Sequence, residues 1–175
     1  GGLLNHVDDV KFKWPLRDFR DFMVRKTLEN PRISVRYQTE PTVEELEAER
    51  FQVVLAAVGS RPIIPRIPGV DKALVMPAVD VYRPESQVGE SVVVIGGGDI
   101  GTETGLYLAQ KGHKVTILEM KDMLAAESYR VHYYTMMMSA CANEPNFCYV
   151  LNATCTGIDD AGVNYQDKDG TIQRI

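Results

Sequence analysis

Short apolar runs along this chain alternate with longer segments in which apolar residues recur at helical spacing. The runs Ser91–Ile95, Lys114–Leu118 and Phe147–Leu151 predict strands of a buried parallel sheet. The segments between them, Asp99–Gln110 and Glu127–Cys141, predict helices. The order strand, helix, strand, helix, strand is typical of β-α-β units, so we expect an α/β domain here.

The pattern changes after the third of these strands. Three short segments follow, Ala153–Ile158, Val163–Tyr165 and Thr171–Ile175, and each is separated from the next by a polar stretch that contains Asp and Gly. Short segments with such turns predict an antiparallel meander.

The first third of the chain has a mixed pattern. A helix is predicted from Pro15 to Leu28, with proline in its first turn. Alternating apolar residues predict a half-buried strand over Ile33–Tyr37, and the apolar run Phe51–Ala57 predicts another. Thr42 and the glutamate three positions later have capping-box spacing, which predicts a short helix between these strands.

The segment from Arg61 to Gly69 contains three prolines and has few ways to form a helix or a sheet. Proline at this density makes a stiff, extended connector. We therefore expect a domain boundary there and divide the chain into residues 1–62, a connector over residues 63–90, and a second domain over residues 91–175.

Composition narrows the range of functions. The 175 residues include 19 basic and 24 acidic side chains, a net charge of −5, which argues against a nucleic-acid partner. No signal peptide and no apolar run of about 20 residues is present, so we expect no membrane partner and a cytoplasmic location. The three cysteines are spaced seven positions apart, which fits neither a zinc site nor a redox pair, and we expect reduced thiols.

A glycine motif lies between the first predicted strand and its helix. The sequence GGGDIG, residues 96–101, matches G-x-G-x-x-G, the pyrophosphate-binding turn of dinucleotide-binding domains. Gly96 permits the tight turn, Gly98 lets a pyrophosphate approach the backbone, and Gly101 lets the helix lie close to the strand. The free amides of the helix N-terminus attract the phosphates. These features predict a Rossmann-like, three-layer NAD(P)-binding domain.

An acidic residue ends the second predicted strand. Glu119 follows Gly101 by 18 positions, close to the offset of about 20 at which a carboxylate binds the adenosine ribose hydroxyls. A carboxylate there would repel a 2′-phosphate, so NAD(H) is favoured over NADP(H), although Lys121 weakens that preference. The residues we expect to contact the dinucleotide in this unit are Gly96, Gly97, Gly98, Asp99, Ile100, Gly101, Glu119 and Met120.

Three stretches together resemble the two-dinucleotide-binding flavoprotein reductases. They are AAVGSRPIIPRIPG, VMPAVDVY and VVVIGGGDIGTETGLYLAQKGHKVTILEM. Within that group the chain is most similar to the C-terminal half of bacterial NADH:flavin oxidoreductases of the 2-enoate reductase and 2,4-dienoyl-CoA reductase type. The resemblance covers essentially the whole chain.

The resemblance implies a fragment that combines a truncated piece of an FAD-binding domain, residues 1–62, with most of the inserted NAD(P)-binding domain. It implies that Gly59 passes close to FAD and that Glu103 lies near the nicotinamide. A carboxylate that simply favours the first helical turn is the other interpretation of Glu103. No side chain stands out as a catalytic acid, base or nucleophile.

The function implied is transfer of hydride from NADH to FAD, with an enoate or enoyl-CoA double bond reduced elsewhere in the full-length protein. The resemblance also implies FMN and an iron-sulfur cluster there. The partners are then the nicotinamide dinucleotide and the remaining domains of the parent flavoprotein. A homo-oligomer stays open as a further possibility. Two alternatives stay open: an NADH oxidase or disulfide reductase relative, and a module that binds NAD without turnover.

Overall fold

The computed structural model describes residues 2–6, 9–83 and 86–175. The helices and strands, in chain order, are α1 Trp14–Glu29, α2 Val43–Ala48, β1 Ser91–Ile95, α3 Asp99–Gln110, β2 Lys114–Leu118, α4 His132–Ala142, β3 Phe147–Val150, β4 Thr154–Asp159, β5 Gly162–Gln166 and β6 Ile172–Arg174. Short 3-10 turns occupy Gly2–His6, Lys11–Lys13 and Ala78–Asp80.

A parallel sheet in the order β1-β2-β3 forms the centre of the molecule. Val93 lies opposite Thr116, and Thr116 lies opposite Cys148, so all three predicted strands pair in register. Ile117 on β2 and Leu106 on α3 are fully buried in the largest apolar cluster. The α/β arrangement, with α3 between β1 and β2, is confirmed.

The predicted meander is also confirmed. Strands β4, β5 and β6 form a separate antiparallel sheet in that order. The connector packs against it, because the Ile158 amide donates to the Pro68 carbonyl at 2.8 Å. A Cβ on Gly69 would meet the Ile158 carbonyl oxygen at 2.0 Å, so this close approach requires glycine.

The chain before α1 packs against α3 and the apolar cluster around it. Val10 is buried in the same cluster as Leu106, and Lys13 forms an ion pair of 2.6 Å with Glu103 on α3. From the connector, Tyr82 makes a hydrogen bond of 3.0 Å with Thr104. These contacts tie residues on both sides of the predicted boundary to one helix. The division into domains itself stays a prediction.

Two predicted strands in the first third are wrong. Residues 33–37 and 51–57 form neither a helix nor a strand, and their apolar side chains are exposed, up to 87% for Leu55. A strand needs a neighbour that accepts its backbone hydrogen bonds, and none of the described residues pairs with these segments. By contrast, α1 and the capping box of α2, which depend on local contacts, form as predicted.

The second crossover helix begins later than predicted. We expected it from Glu127, but α4 begins at His132, and residues 121–131 form a series of bends and turns. These residues are held by the glycine motif as well as by each other, since Ser128 donates to Asp99 at 2.6 Å. Tertiary contacts therefore override the local helical pattern.

Candidate functional site

The glycine motif forms a tight turn between β1 and α3. Gly96 has φ +99°, a conformation that favours glycine, and its amide donates to the Leu118 carbonyl at 2.9 Å. A Cβ on Gly101 would lie 1.8 Å from the Gly96 carbonyl oxygen. The first and last glycines are thus required by the backbone geometry, as the motif predicts.

The N-terminus of α3 is open towards this turn. Gly98 is the N-cap residue, and no side chain caps the helix. Thr102 is buried, and its hydroxyl donates to the Gly97 carbonyl at 2.9 Å, which fixes the turn from behind. The atom nearest to a Cβ built on Gly98 is Glu127 Oε2, at 3.9 Å. Free backbone amides and the absence of a side chain on Gly98 suit an anionic group such as a pyrophosphate.

Glu119 lies at the end of β2, directly beside the turn. Only 6% of its surface is exposed, and its Oε2 accepts a hydrogen bond of 2.6 Å from the Gly97 amide. Its Oε1 accepts one of 2.7 Å from the Lys121 amide. The carboxylate therefore joins the end of β2 to the glycine motif, and each oxygen keeps capacity for a further donor.

The segment of residues 121–131 covers the glycine motif, which the sequence pattern did not predict. Leu124 is buried against Gly97, at 2.4 Å from the position of its missing Cβ, and the Ala125 amide donates to the Gly97 carbonyl at 2.7 Å. Ser128 binds one carboxylate oxygen of Asp99, while the other, Oδ1, is buried with no partner among the described residues. Since the contacts span 27 to 29 positions, no local pattern indicates them.

An ion pair crosses this covering segment. The Lys121 ammonium donates to Glu127 Oε1 at 2.5 Å, and both side chains are more than half exposed. The hydrogen bond to Glu127 and its negative charge raise the pKa of Lys121. The hydrogen bond from Lys121, the backbone and the positive charge lower the pKa of Glu127. Sequence reasoning singled out Lys121 but not Glu127.

The remaining expected residues lie in different surroundings. Ile100 and Met120 border the turn and are largely exposed, while Glu103 is half-buried and paired with Lys13, whose ammonium lies 5.1 Å from the centre of the Tyr133 ring. Gly59 has φ +78°, and nothing lies within 4 Å of a Cβ built on it. The structure thus brings the glycine motif and Glu119 together and gives Glu103 a cationic partner.

The described residues show no other candidate chemistry. Within ranges 2–6, 9–83 and 86–175 no group of three or more His, Cys, Asp or Glu could hold a metal ion. Cys141, Cys148 and Cys155 are free thiols. The described helices are all too short or too polar to cross a membrane.

The sequence profile described as "Pyridine nucleotide-disulphide oxidoreductase" matches residues 20–174, which is most of the chain. The chain belongs to the pyridine nucleotide-disulphide oxidoreductase family. The glycine motif, Glu119 and both sheets lie within the matched range.

Two relatives in this family are named for reactions of NADH or of an unsaturated acid. The chain is 38% identical over 132 residues to the NADH oxidase of Thermoanaerobacter brockii, across 73% of this chain and 20% of the relative. It is 39% identical over 90 residues to the cinnamate reductase of Clostridium sporogenes, across 51% of this chain and 13% of the relative. The chain thus spans about a fifth or less of these relatives.

A solved structure shares the fold. A complex of 2-naphthoyl-CoA reductase with 2-naphthoyl-CoA superimposes with a TM-score of 0.88 at 24% identity, across 100% of this chain and 26% of that one. At this level of identity the likeness shows a shared fold alone.

Proposed function

We propose that this chain is the NADH-binding part of an FAD-dependent oxidoreductase that reduces an enoate or enoyl-CoA-type double bond elsewhere in the full-length protein. The observation that carries the proposal is the open glycine turn at the N-terminus of α3 with the Glu119 carboxylate beside it. The cinnamate reductase relative, named for an enoate, supports the substrate class.

The residues present fit a nicotinamide dinucleotide. A pyrophosphate needs unpaired amides and a backbone without side chains, and the N-cap Gly98 offers both. The adenosine ribose needs an acceptor at the end of β2, which Glu119 supplies. The buried, unpartnered Asp99 Oδ1 is a further acceptor, suited to a hydroxyl or a water rather than to a phosphate.

In this proposal the chain binds and orients, and the cofactors supply the redox chemistry of hydride transfer. The amides of the turn and α3 hold the pyrophosphate, while Glu119 fixes the ribose and disfavours a 2′-phosphate. Glu103 lies on the second turn of α3, where it pairs with Lys13, and its assignment to the nicotinamide half follows from the resemblance. No described side chain is assigned a proton transfer.

The described residues near Gly59 do not form a binding site for FAD. Gly59, the one position assigned to it, lies in an exposed segment without close neighbours. We therefore assign FAD, and the FMN and iron-sulfur cluster of the resemblance, to other parts of the full-length protein, and derive no step through them.

An NADH oxidase is the second candidate function. The Thermoanaerobacter brockii relative matches over 132 residues, more than the 90 matched by the cinnamate reductase. Both functions need the same NADH site, so they differ only in the electron acceptor outside this chain.

Calorimetric titration of the chain with NADH and with NADPH tests the site. We expect saturable binding of NADH, about tenfold tighter than that of NADPH, or ~1.4 kcal/mol. Gly98→Ala places a methyl group in the space proposed for the pyrophosphate without an internal clash and should weaken NADH binding at least tenfold. Gly89→Ala, at a glycine whose Cβ would also meet nothing closer than 3.8 Å, is the matched control. Absence of binding, or equal effects of both variants, contradicts the proposal.

A further inference from the structure

One corner of the proposed dinucleotide site is strongly acidic. Glu119 ends β2, Asp99 begins α3, and Glu127 lies over the turn with its Oε2 at 3.9 Å from the Gly98 Cβ position. Lys121 is the cation that the described contacts place among them: its amide binds Glu119, and its ammonium binds Glu127. The charge of this lysine therefore matters for any group that lies next to the ribose.

The ammonium of Lys121 is already engaged. It lies 2.5 Å from Glu127 Oε1, and the pair is exposed to solvent, with 53% and 59% of the two side chains accessible. A lysine paired with Glu127 offers less positive charge to a ligand than an unpaired lysine does. A free lysine at this position would be a natural partner for a phosphate, because an ammonium binds phosphate as a point charge.

The ribose 2′ position is where NADH and NADPH differ. With the ribose held by Glu119, a 2′ substituent lies near residue 121, because the Lys121 amide shares the Glu119 carboxylate. A 2′-phosphate there would lie beside a lysine whose positive charge is neutralised by Glu127, and the negative charge of Glu127 would repel it. An uncharged 2′-hydroxyl would not be repelled.

We propose that Glu127 determines cofactor specificity: by holding the Lys121 ammonium it keeps this site selective for a dinucleotide with a free 2′-hydroxyl. The inference rests on the proposed function, since it concerns the same NADH site. Selectivity for NADH over NADPH then depends on the Lys121–Glu127 ion pair as well as on Glu119.

The expected effect is a few-fold change in affinity. Exposed ion pairs are weak and are screened by salt, so releasing Lys121 has a limited and ionic-strength-dependent effect. We expect Glu127→Gln to raise the ratio of NADPH to NADH affinity about threefold to tenfold at low salt, because the loss of charge near the pyrophosphate affects both dinucleotides alike. The gain should shrink as salt is added.

A matched control is available at the opposite end of β2. Glu90 forms an exposed ion pair of 2.9 Å with Lys114, so Glu90→Gln makes the same substitution and the same change in net charge in the same kind of pair, away from the turn. We expect no change in the ratio of NADPH to NADH affinity. Glu127→Ser is the second test variant, because a glutamine amide oxygen can still accept a hydrogen bond from Lys121.

The double variant Lys121→Gln/Glu127→Gln removes the lysine as well as the glutamate. It therefore distinguishes release of the Lys121 ammonium from loss of the repulsion between Glu127 and a 2′-phosphate. All variants are titrated calorimetrically with NADH and NADPH at low and high salt, after circular dichroism has verified that they fold. A gain in the ratio of NADPH to NADH affinity in both Glu127 variants that disappears in the double variant supports the inference.

The other outcomes overturn it. An unchanged ratio in Glu127→Gln and Glu127→Ser, a gain that survives in the double variant, or an equal gain in Glu90→Gln would remove Glu127 from this role while leaving the NADH site intact. A parent chain that binds neither dinucleotide overturns the proposed function, and the inference with it.

Discussion

Two regions of this chain have similar apolar runs, but only one of them forms a strand. Val92–Val94 belongs to β1 and pairs with β2 across a register of five residues. Val53–Leu55 is equally apolar, yet it lies outside any strand and is highly exposed, with 73% of Val53 accessible. The difference lies in the neighbours: β-branched residues stabilise a strand only where another strand completes its hydrogen bonds and covers its faces.

The largest expected effect tests this contrast directly. Ile117 on β2 is fully buried, so Ile117→Ala should lower the free energy of unfolding by about 2–5 kcal/mol through lost burial and a cavity. Leu55→Ala, at a residue that is 87% exposed, should change it by less than about 0.5 kcal/mol. Urea unfolding followed by circular dichroism measures both. Similar losses in the two variants would mean that residues 51–57 are buried in solution.

The next largest effect is expected at Glu119, which is buried at the end of β2. Glu119→Ala removes the proposed ribose acceptor and the bond to the Gly97 amide, and should weaken NADH binding about tenfold, or ~1.4 kcal/mol. NADPH binding should weaken less, because a repulsive charge is lost as well. Paired calorimetric titrations measure the two losses, and equal losses would remove Glu119 from the ribose role.

A smaller effect is expected at alkaline pH, where the connector meets α3. Burial raises the pKa of Tyr82 from 10.0 to about 12, which is partly offset by its hydrogen bond with Thr104. The folded state then keeps a proton that the unfolded state loses between pH 10 and 12, so stability falls over that window, by at most about 1.4 kcal/mol per pH unit.

Tyr82→Phe should flatten this alkaline loss. The free energy of unfolding, measured by urea titration at several pH values, provides the comparison. Burial also raises the pKa of Cys141 from 9.0 to about 12, so a residual loss of stability above pH 9 should remain in the variant. An unchanged slope between pH 10 and 12 would place the Tyr82 hydroxyl in water.

The exposed region gives the smallest expected signal. Because Gly59 has no close neighbours and residues 51–58 lie on the surface, the purified chain should carry no stoichiometric flavin. Flavin absorbance after gel filtration measures this, and denaturation in acid would release any bound flavin for quantification. A one-to-one content would show that residues in the first third form a cradle after all.

Much of the nucleotide-binding unit could be predicted because its signals are local. The bounds of β1, α3 and β2 match the predicted bounds, since apolar runs, glycines and the end of the helix at Lys111 lie within a few positions of one another. The position of Glu119 beside the turn could be predicted from its spacing from Gly101. Its hydrogen bond with the Gly97 amide could not, because spacing does not indicate which groups the carboxylate oxygens bind.

The rest of the site depends on contacts between distant positions. Ser128 meets Asp99, and the Ala125 amide meets the Gly97 carbonyl, only because residues 121–131 fold back over the turn; the helix therefore begins later than predicted. The strand predicted at residues 33–37 failed for the converse reason, since its pattern presumed a partner that no described residue supplies. Periodicity describes which face is apolar and not what covers it.

The ion pair between Lys13 and Glu103 joins positions 90 apart in the sequence. Together with the burial of Val10 in the same apolar cluster as Leu106 of α3, this ion pair closes the intervening chain into a large loop. Residues 30–62 of that loop are exposed, so we expect proteases to cleave there. A single cut within residues 30–62 would leave two polypeptides that stay associated through non-covalent contacts. They would migrate as two bands on a denaturing gel and elute as one particle from a sizing column.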